Sequence, residues 1–205
     1  MTNDSITYGH SISSERIDDL DAMALHYLES LDNPSALDLC CGEGAMALRM
    51  NEICRRVVAV DLSPGIATRG TLFVLRQDLS VSQNVPMAPF EAVVFQRAIH
   101  YFTHPVAIRI LDNIREWILP TGGRLFISAS GIDSELGEDY SGRDLPLSSR
   151  MAPLSPPMAE KHDIRHPVCL YRMEEFLSFL IERGFSVSES FISPFGNLKV
   201  VCHVS

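Results

Sequence analysis

The stretch from Ala36 to Ala47 reads Ala-Leu-Asp-Leu-Cys-Cys-Gly-Glu-Gly-Ala-Met-Ala, and it constrains the fold more than any other part of the chain. An apolar run ends in two thiols and a Gly-x-Gly, then passes into helix-forming residues. That pattern predicts a strand, a tight glycine bend and a helix start within twelve positions. Gly42 and Gly44 can adopt positive φ and leave backbone N–H groups open to a ligand. The bend opens a helix, whose N-terminal amides and dipole favour polar or anionic groups there. Open α/β sheets bind nucleotide-like molecules at such a junction.

The rest of the chain repeats the strand–helix alternation. Ser13 or Ser14 is placed to cap a helix with apolar positions Ile17, Leu20, Ala24, Leu28 and Leu31, stopped by Asn33-Pro34. Tyr8 and His10 precede it, on a segment that can fold over a neighbouring site. The β-branched run Val57–Val60 predicts a second strand ending at Asp61, and Ser63-Pro64 reads as the cap and first residue of a helix. Leu72–Leu75 and Ala92–Phe95 predict the third and fourth strands. Thr103-His104-Pro105 opens a helix with Val106, Ile110, Ile114, Trp117 and Ile118 on one face, and Arg124–Ser130 is the fifth strand. Glu174–Arg183 is the last helix, closed by Gly184. The short link Ser193–Gly196 between Phe185–Phe191 and Asn197–Val204 makes those two strands an antiparallel hairpin. The alternation predicts βαβ units and a parallel sheet.

A length of 205 residues suits a single domain, 1–205, with a helical cap segment over 1–34 and an irregular insertion over 133–170. Prolines within Asp133–Pro167 oppose regular structure, so the insertion reads as a lid, a substrate-side excursion or a floppy loop. A net charge of −9, with Lys161 and Lys199 the only lysines, argues against nucleic acid as a partner. No apolar run approaches the ~20 residues of a membrane span, and the N-terminus lacks the basic and apolar regions of a signal peptide. A cytoplasmic protein acting on a small molecule is the expectation. Five cysteines with no C-x-x-C fit reduced thiols rather than a disulfide or zinc framework. Cys40 and Cys41 read as small fillers, since no cationic neighbour lowers a thiol pKa.

Gly42-x-Gly44-x-x-Ala47, with Asp61 nineteen residues after Gly42, also fits the dinucleotide fingerprint. Two features pull away from that reading. Asp38 sits within the strand, where a carboxylate needs a specific partner such as a cationic amine. The C-terminal hairpin takes the place of a second mononucleotide half.

Leu37–Gly44, Val58–Ser63, Gln77-Asp78-Leu79 and Leu119–Leu125, in that order, resemble the class I S-adenosylmethionine-dependent methyltransferases. The resemblance implies a doubly wound, Rossmann-like α/β fold with a mostly parallel seven-stranded sheet and one antiparallel strand. It implies S-adenosylmethionine as cofactor, S-adenosylhomocysteine as product, and a small-molecule acceptor methylated on oxygen, nitrogen or carbon. Asp38 then holds the methionine amino group or orders the loop through backbone amides, Gly42 and Gly44 let the cofactor lie against the main chain, and Asp61 accepts from both ribose hydroxyls. Asp78 takes the adenine amino group, with Leu62 and Leu79 flanking the ring. Gln96 and Arg97 lie by the methionine tail and reactive methyl. Cys40 stands where the family usually has glycine, and the Asn-Pro-Pro-Tyr motif that some of its members carry after the fourth strand is absent.

His100 follows the fourth strand, beside the expected methyl, and imidazole is suited to take a proton near neutral pH; Tyr101 can orient an acceptor. Tyr140, Arg143, His162, Arg165, His166 and Tyr171 are candidate substrate contacts because their segment borders the site. The pairs His100/His104 and His162/His166 have helical metal spacing, but Pro105 and the sequence around 162–166 oppose a helix across either. The competing readings are a nicotinamide-dependent oxidoreductase on the same glycines, and a non-catalytic partner subunit that keeps the fold.

Overall fold

The computed structural model describes residues 18–204. Ser13, Ser14, Ile17, Tyr8 and His10 lie outside the described residues. The first helix, α1 (Asp19–Glu29), is capped by Asp18, whose carboxylate accepts from the backbone N–H groups of Leu20 and Asp21. Asp21 reaches back to the Asp18 amide, closing a capping box. Then follow β1 (Ser35–Leu39), α2 (Ala45–Asn51), β2 (Arg56–Asp61), β3 (Leu72–Arg76), β4 (Ala92–Phe95), α3 (His104–Ile118) and β5 (Arg124–Ser130). After the insertion, which contains the short helix α4 (Pro156–His162), come α5 (Met173–Glu182), β6 (Ser186–Ile192) and β7 (Asn197–His203).

Seven strands form one sheet in the order β3-β2-β1-β4-β5-β7-β6. All neighbours are parallel except at β7, which runs antiparallel to both β5 and β6. This is the expected doubly wound α/β architecture with a terminal hairpin and one reversed strand.

Strand periodicity sorts the core into two layers. Leu37, Leu39, Val58, Val60, Val93 and Phe95 point to the face covered by α3 and α5. Ala36, Val57, Ala59, Ala92 and Val94 point to the other face, where Leu20, Ala24 and Leu28 of α1 and Met46, Ala47 and Met50 of α2 pack. By the same alternation Asp38 belongs to the α1–α2 face, and this determines which groups surround it.

Residues 62–71 form no helix, which corrects the reading of Ser63-Pro64 as a helix start. The chain instead folds back on the glycine bend: the Gly65 amide donates to the Gly42 carbonyl at 2.9 Å. A Cβ on Gly65 would lie 2.2 Å from the Glu43 carboxylate, and Gly70 takes φ +55°. Two glycines within eight residues leave too little helix propensity to outweigh that docking.

The insertion is ordered around its own small core of Ile132, Tyr140, Ala152, Leu154, Met158, Ile164, Val168 and Leu170. Its proline-rich sequence nevertheless supports one helix, because Pro156 and Pro157 occupy the first two positions of α4, where no N–H is needed. Arg150, 2% exposed, pins it to the main body. The guanidinium grips both Glu175 carboxylate oxygens (2.5 and 2.7 Å) and donates to the Leu145 carbonyl at 2.9 Å.

Candidate functional site

The glycine bend, the end of β2 and the end of β4 converge at the carboxyl edge of the parallel strands. Asp61 joins the first two: one carboxylate oxygen accepts from the Gly42 amide at 3.0 Å, the other from the Ser63 amide at 2.8 Å. Gly42 (φ +52°) has nothing within 4 Å of where a Cβ would stand, so its face is open. Gly44 (φ +77°) is closed instead, since a Cβ there would strike Ile66 at 2.3 Å. The two glycines thus serve different needs: one exposes backbone to the crevice and the other admits a packed neighbour.

Cys40 stands at φ +57°, left-handed backbone that favours glycine. Burial, followed by the charge of Asp61, holds its thiol well above the usual range. Burial also raises Cys41, and lifts Cys54 and Cys202 to about 12 and Cys169 to about 11. None of the five is set up as a nucleophile.

Asp38 is 4% exposed. The Ala47 backbone N–H donates to it, while its Oδ2 has no hydrogen-bond partner among the described residues. Burial first, then the nearby Asp21 carboxylate, pushes its pKa up to about 8. A buried carboxylate with one oxygen unmatched is costly unless a cation or a proton completes it. The Asp61 carboxylate, tied to the Gly42 amide, also raises Asp38.

At the end of β4 the Gln96 side chain donates to Asp21 of α1 and lies near the Ser128 hydroxyl of β5. Arg97 takes φ +51°, and its amide donates to the Ser128 hydroxyl at 2.9 Å. Its exposed guanidinium forms no ion pair within 4 Å among the described residues, yet its charge reaches Asp18, Asp21 and His100. Asp18 in turn pairs with the buried Lys199 of β7 at 2.8 Å. Sequence reading missed Asp18, Asp21 and Lys199: no local motif marks residues that meet only through the fold.

Asp78 is exposed, and its Oδ1 holds the Ser80 amide and hydroxyl at 2.8 and 2.6 Å. Leu62 is half-buried, whereas Leu79 is 3% exposed and packs into the core. His100 is buried in a 3-10 turn after β4, with Nε2 3.4 Å from the Ser130 hydroxyl and Nδ1 unmatched among the described residues. Burial, then the Arg97 charge, lowers its pKa to about 3, so the ring is neutral. Tyr101 stacks on it with ring centroids 4.2 Å apart and packs against the insertion.

Most of the candidates in the insertion serve its architecture. The Tyr140 hydroxyl donates to the Val168 carbonyl, and Arg143 pairs with Asp133 and ties the Ile132 and Gly137 carbonyls. His162 faces Glu135, Arg165 pairs with Asp163, and Tyr171 is buried against Phe176. His166 is exposed. Helix α4 ends at His162, so it does not span the 162/166 pair, and the turn holding His100 is separate from α3. No group of three or more potential metal ligands occurs among the described residues.

Comparison with known proteins shows what the chain is similar to. Residues 36–122 match the family described as "Methyltransferase domain", a span running from β1 through the turn after α3. No curated protein matches the sequence. Among solved structures, the chain resembles 1,6-didemethyltoxoflavin-N1-methyltransferase of Burkholderia thailandensis, whose structure holds 1,6-didemethyltoxoflavin and S-adenosylhomocysteine. That match has a TM-score of 0.64 at 17% identity and covers 91% of this chain and 76% of the other. An S-adenosylmethionine-dependent methyltransferase of Mesorhizobium loti matches with TM-score 0.64 at 16% identity, covering 90% and 97%. Magnesium protoporphyrin IX methyltransferase of Synechocystis, bound to S-adenosylhomocysteine, matches with TM-score 0.59 at 11% identity, covering 91% and 82%. Residues 36–122 thus match a methyltransferase domain, and the chain shares the fold of these solved structures.

Proposed function

We propose that the protein transfers a methyl group from S-adenosylmethionine to an oxygen, nitrogen or carbon of a small-molecule acceptor. The observation that carries this reading is the unmatched, buried Asp38 oxygen, on the strand that leads into the open Gly42 backbone and its partner Asp61. A ligand with an ammonium at one end and a nucleoside diol at the other satisfies both. The residues therefore fit the cofactor. When bound, it supplies an electrophilic methyl on a sulfonium.

The protein's own tasks are binding, alignment and exclusion of water. Asp38 receives the ammonium, and Asp61, already oriented by two backbone amides, receives the ribose hydroxyls. Asp78 and the Leu62 side chain border the adenine, with Leu79 supporting that wall from the core. Cys40, Gly42 and Gly44 shape the main chain against which the ligand lies. Gln96 and Arg97 stand at the methyl-bearing end. His100 is a neutral hydrogen-bonding group rather than a cation, and Tyr101 holds its ring against the insertion. With so low a pKa, His100 acts by accepting or donating a hydrogen bond to an acceptor, not by storing its proton.

Dinucleotide folds continue their second half with parallel strands, whereas β7 here is reversed. That difference disfavours the nicotinamide reading. The acidic sequence supports a small molecule over nucleic acid. A thermal-shift series with S-adenosylmethionine, S-adenosylhomocysteine and NAD tests the proposal. Ligand at ~100 times its dissociation constant adds about 2.7 kcal/mol to folding stability. Stabilisation by the first two, not by NAD, is expected. A rise with NAD alone indicates an oxidoreductase, and no rise with any indicates a non-catalytic subunit.

A further inference from the structure

The pair Asp38 and Asp21 is not explained by the family's sequence motifs. Asp21 lies on α1, outside the matched domain, and is 6% exposed. Its carboxylate is held by the Asp18 amide at 3.2 Å and by the Gln96 side chain. These contacts tie it to the end of β4, and its charge bears on Asp38. Two carboxylates so placed repel one another in a weakly screened interior. One of them, Asp38, has an oxygen that nothing in the described structure satisfies.

The remaining charged neighbours do not remove the conflict. From β2, Asp61 adds further negative charge, and from α2 only the Ala47 amide assists. On β1's own continuation, Cys40 and Cys41 keep their thiols neutral. On α1, Asp18 raises Asp21 rather than relieving it. The Lys199 cation of β7 is committed to Asp18 at 2.8 Å, and the Arg97 guanidinium, together with neutral His100, lies on the β4 side.

We propose that Asp38, buried with one oxygen unmatched, holds a proton in the ligand-free protein, that Asp21 is a positioning residue adding to the effect of burial, and that the cofactor's ammonium enters by displacing that proton. The inference rests on the proposed cofactor site and goes beyond it: binding becomes an exchange of one cation for another. The step balances, since Asp38 releases H⁺ to solvent and the incoming ammonium restores the charge. A ligand with a positive end makes this exchange, whereas a nucleoside without one leaves the Asp38 proton in place.

Isothermal titration of S-adenosylhomocysteine into the protein at pH 7.0, in three buffers of different ionisation enthalpy, reads the proton count. Release of about one proton per site is expected, because a carboxyl titrating near 8 is mostly protonated at that pH. 5′-Methylthioadenosine, which lacks the ammonium, is expected to bind without release. Asp21→Asn should release fewer protons than the wild type, because its Asp38 is ionised in a larger share of molecules before binding. Asp38→Asn, a second variant that keeps the side-chain shape, should release none.

Binding of S-adenosylhomocysteine by the wild-type protein with no buffer dependence would overturn the exchange while leaving the cofactor site intact. Equal proton release by Asp21→Asn and the wild type would remove Asp21 from it. Release with 5′-methylthioadenosine equal to that with S-adenosylhomocysteine would likewise refute it. Absence of binding by either ligand would overturn the cofactor reading, and this inference with it.

Discussion

Lys199 and Asp18 meet at 2.8 Å across the fold, one on the central antiparallel strand and the other capping the first described helix. Lys199 is almost fully buried and Asp18 about two-thirds so, with the Phe191 ring 5.8 Å from the ammonium on the opposite strand. Through the capping box, this contact sets the start of α1 and hence the place of Asp21 against Gln96. The helix above the crevice is thus keyed to the sheet by a charged pair as well as by apolar packing.

Removing one partner of that pair should be costly. Asp18→Ala loses both a helix cap and the counter-charge of a buried ammonium, so a loss of roughly 2–4 kcal/mol in urea unfolding is expected. Lys199→Met, which fills the space and leaves the partly exposed Asp18 accessible to water, should cost clearly less. Equal losses for the two variants would mean that burial of the lysine charge is unimportant.

The insertion should depend on Arg150 in the same way. Glu175 lowers its own pKa by accepting from Arg150, and Arg150 ties two further carbonyls of the insertion. Arg150→Met is expected to destabilise the protein by about 3 kcal/mol, the scale of a broken buried pair. Limited proteolysis should then cut first between residues 133 and 170. Unchanged protease resistance there would show that the insertion's apolar cluster suffices.

Asp38 and His100 make opposite contributions to stability as pH changes. Asp38 binds its proton more tightly folded than unfolded, so stability falls as pH rises from about 4 towards 8. His100 resists protonation when folded, so its contribution is complete above pH 6.5 and is lost as pH falls towards 3. Between pH 6.5 and 8 only the Asp38 effect operates. The ligand-free protein should lose roughly 2 kcal/mol over that interval. Asp38→Asn should flatten the decline in denaturant unfolding, and at pH 8 it should be the more stable protein. A wild-type stability flat across this interval would contradict the burial of an unmatched carboxylate.

Cys40 occupies backbone that glycine adopts without strain. Cys40→Gly should therefore keep its unfolding free energy within about 1 kcal/mol of wild type, relief of strain offsetting lost packing. Cys40→Val, β-branched at the same φ, should lose roughly 1–3 kcal/mol. A protein indifferent to valine would show that the bend relaxes away from the left-handed region.

The sheet was legible because its strands are short β-branched or apolar runs, and Ala92–Phe95 and Arg124–Ser130 appear with the bounds that the pattern predicts. The Gly42–Asp61 junction was legible for a similar reason, since the residues that build it lie within one βαβ step. The expectation failed where a local signal met a tertiary demand: Ser63-Pro64 reads as a helix start, but Gly65 is needed against Glu43 and Gly42. The order within the insertion was hidden because its apolar residues follow no helical or strand period. Asp18, Asp21, Lys199 and the Arg150–Glu175 pair were invisible, for their meaning lies in partners far along the chain.

The central claim is that one crevice, bounded by the Gly42 bend, Asp38 and Asp61, holds S-adenosylmethionine. Equilibrium dialysis with labelled S-adenosylmethionine measures this directly, on the wild type and on Asp61→Ala. The account predicts one site per chain, emptied by S-adenosylhomocysteine, with affinity falling roughly 10- to 150-fold in the variant as a charge-assisted contact is lost. Saturable binding that Asp61→Ala leaves unchanged would contradict it.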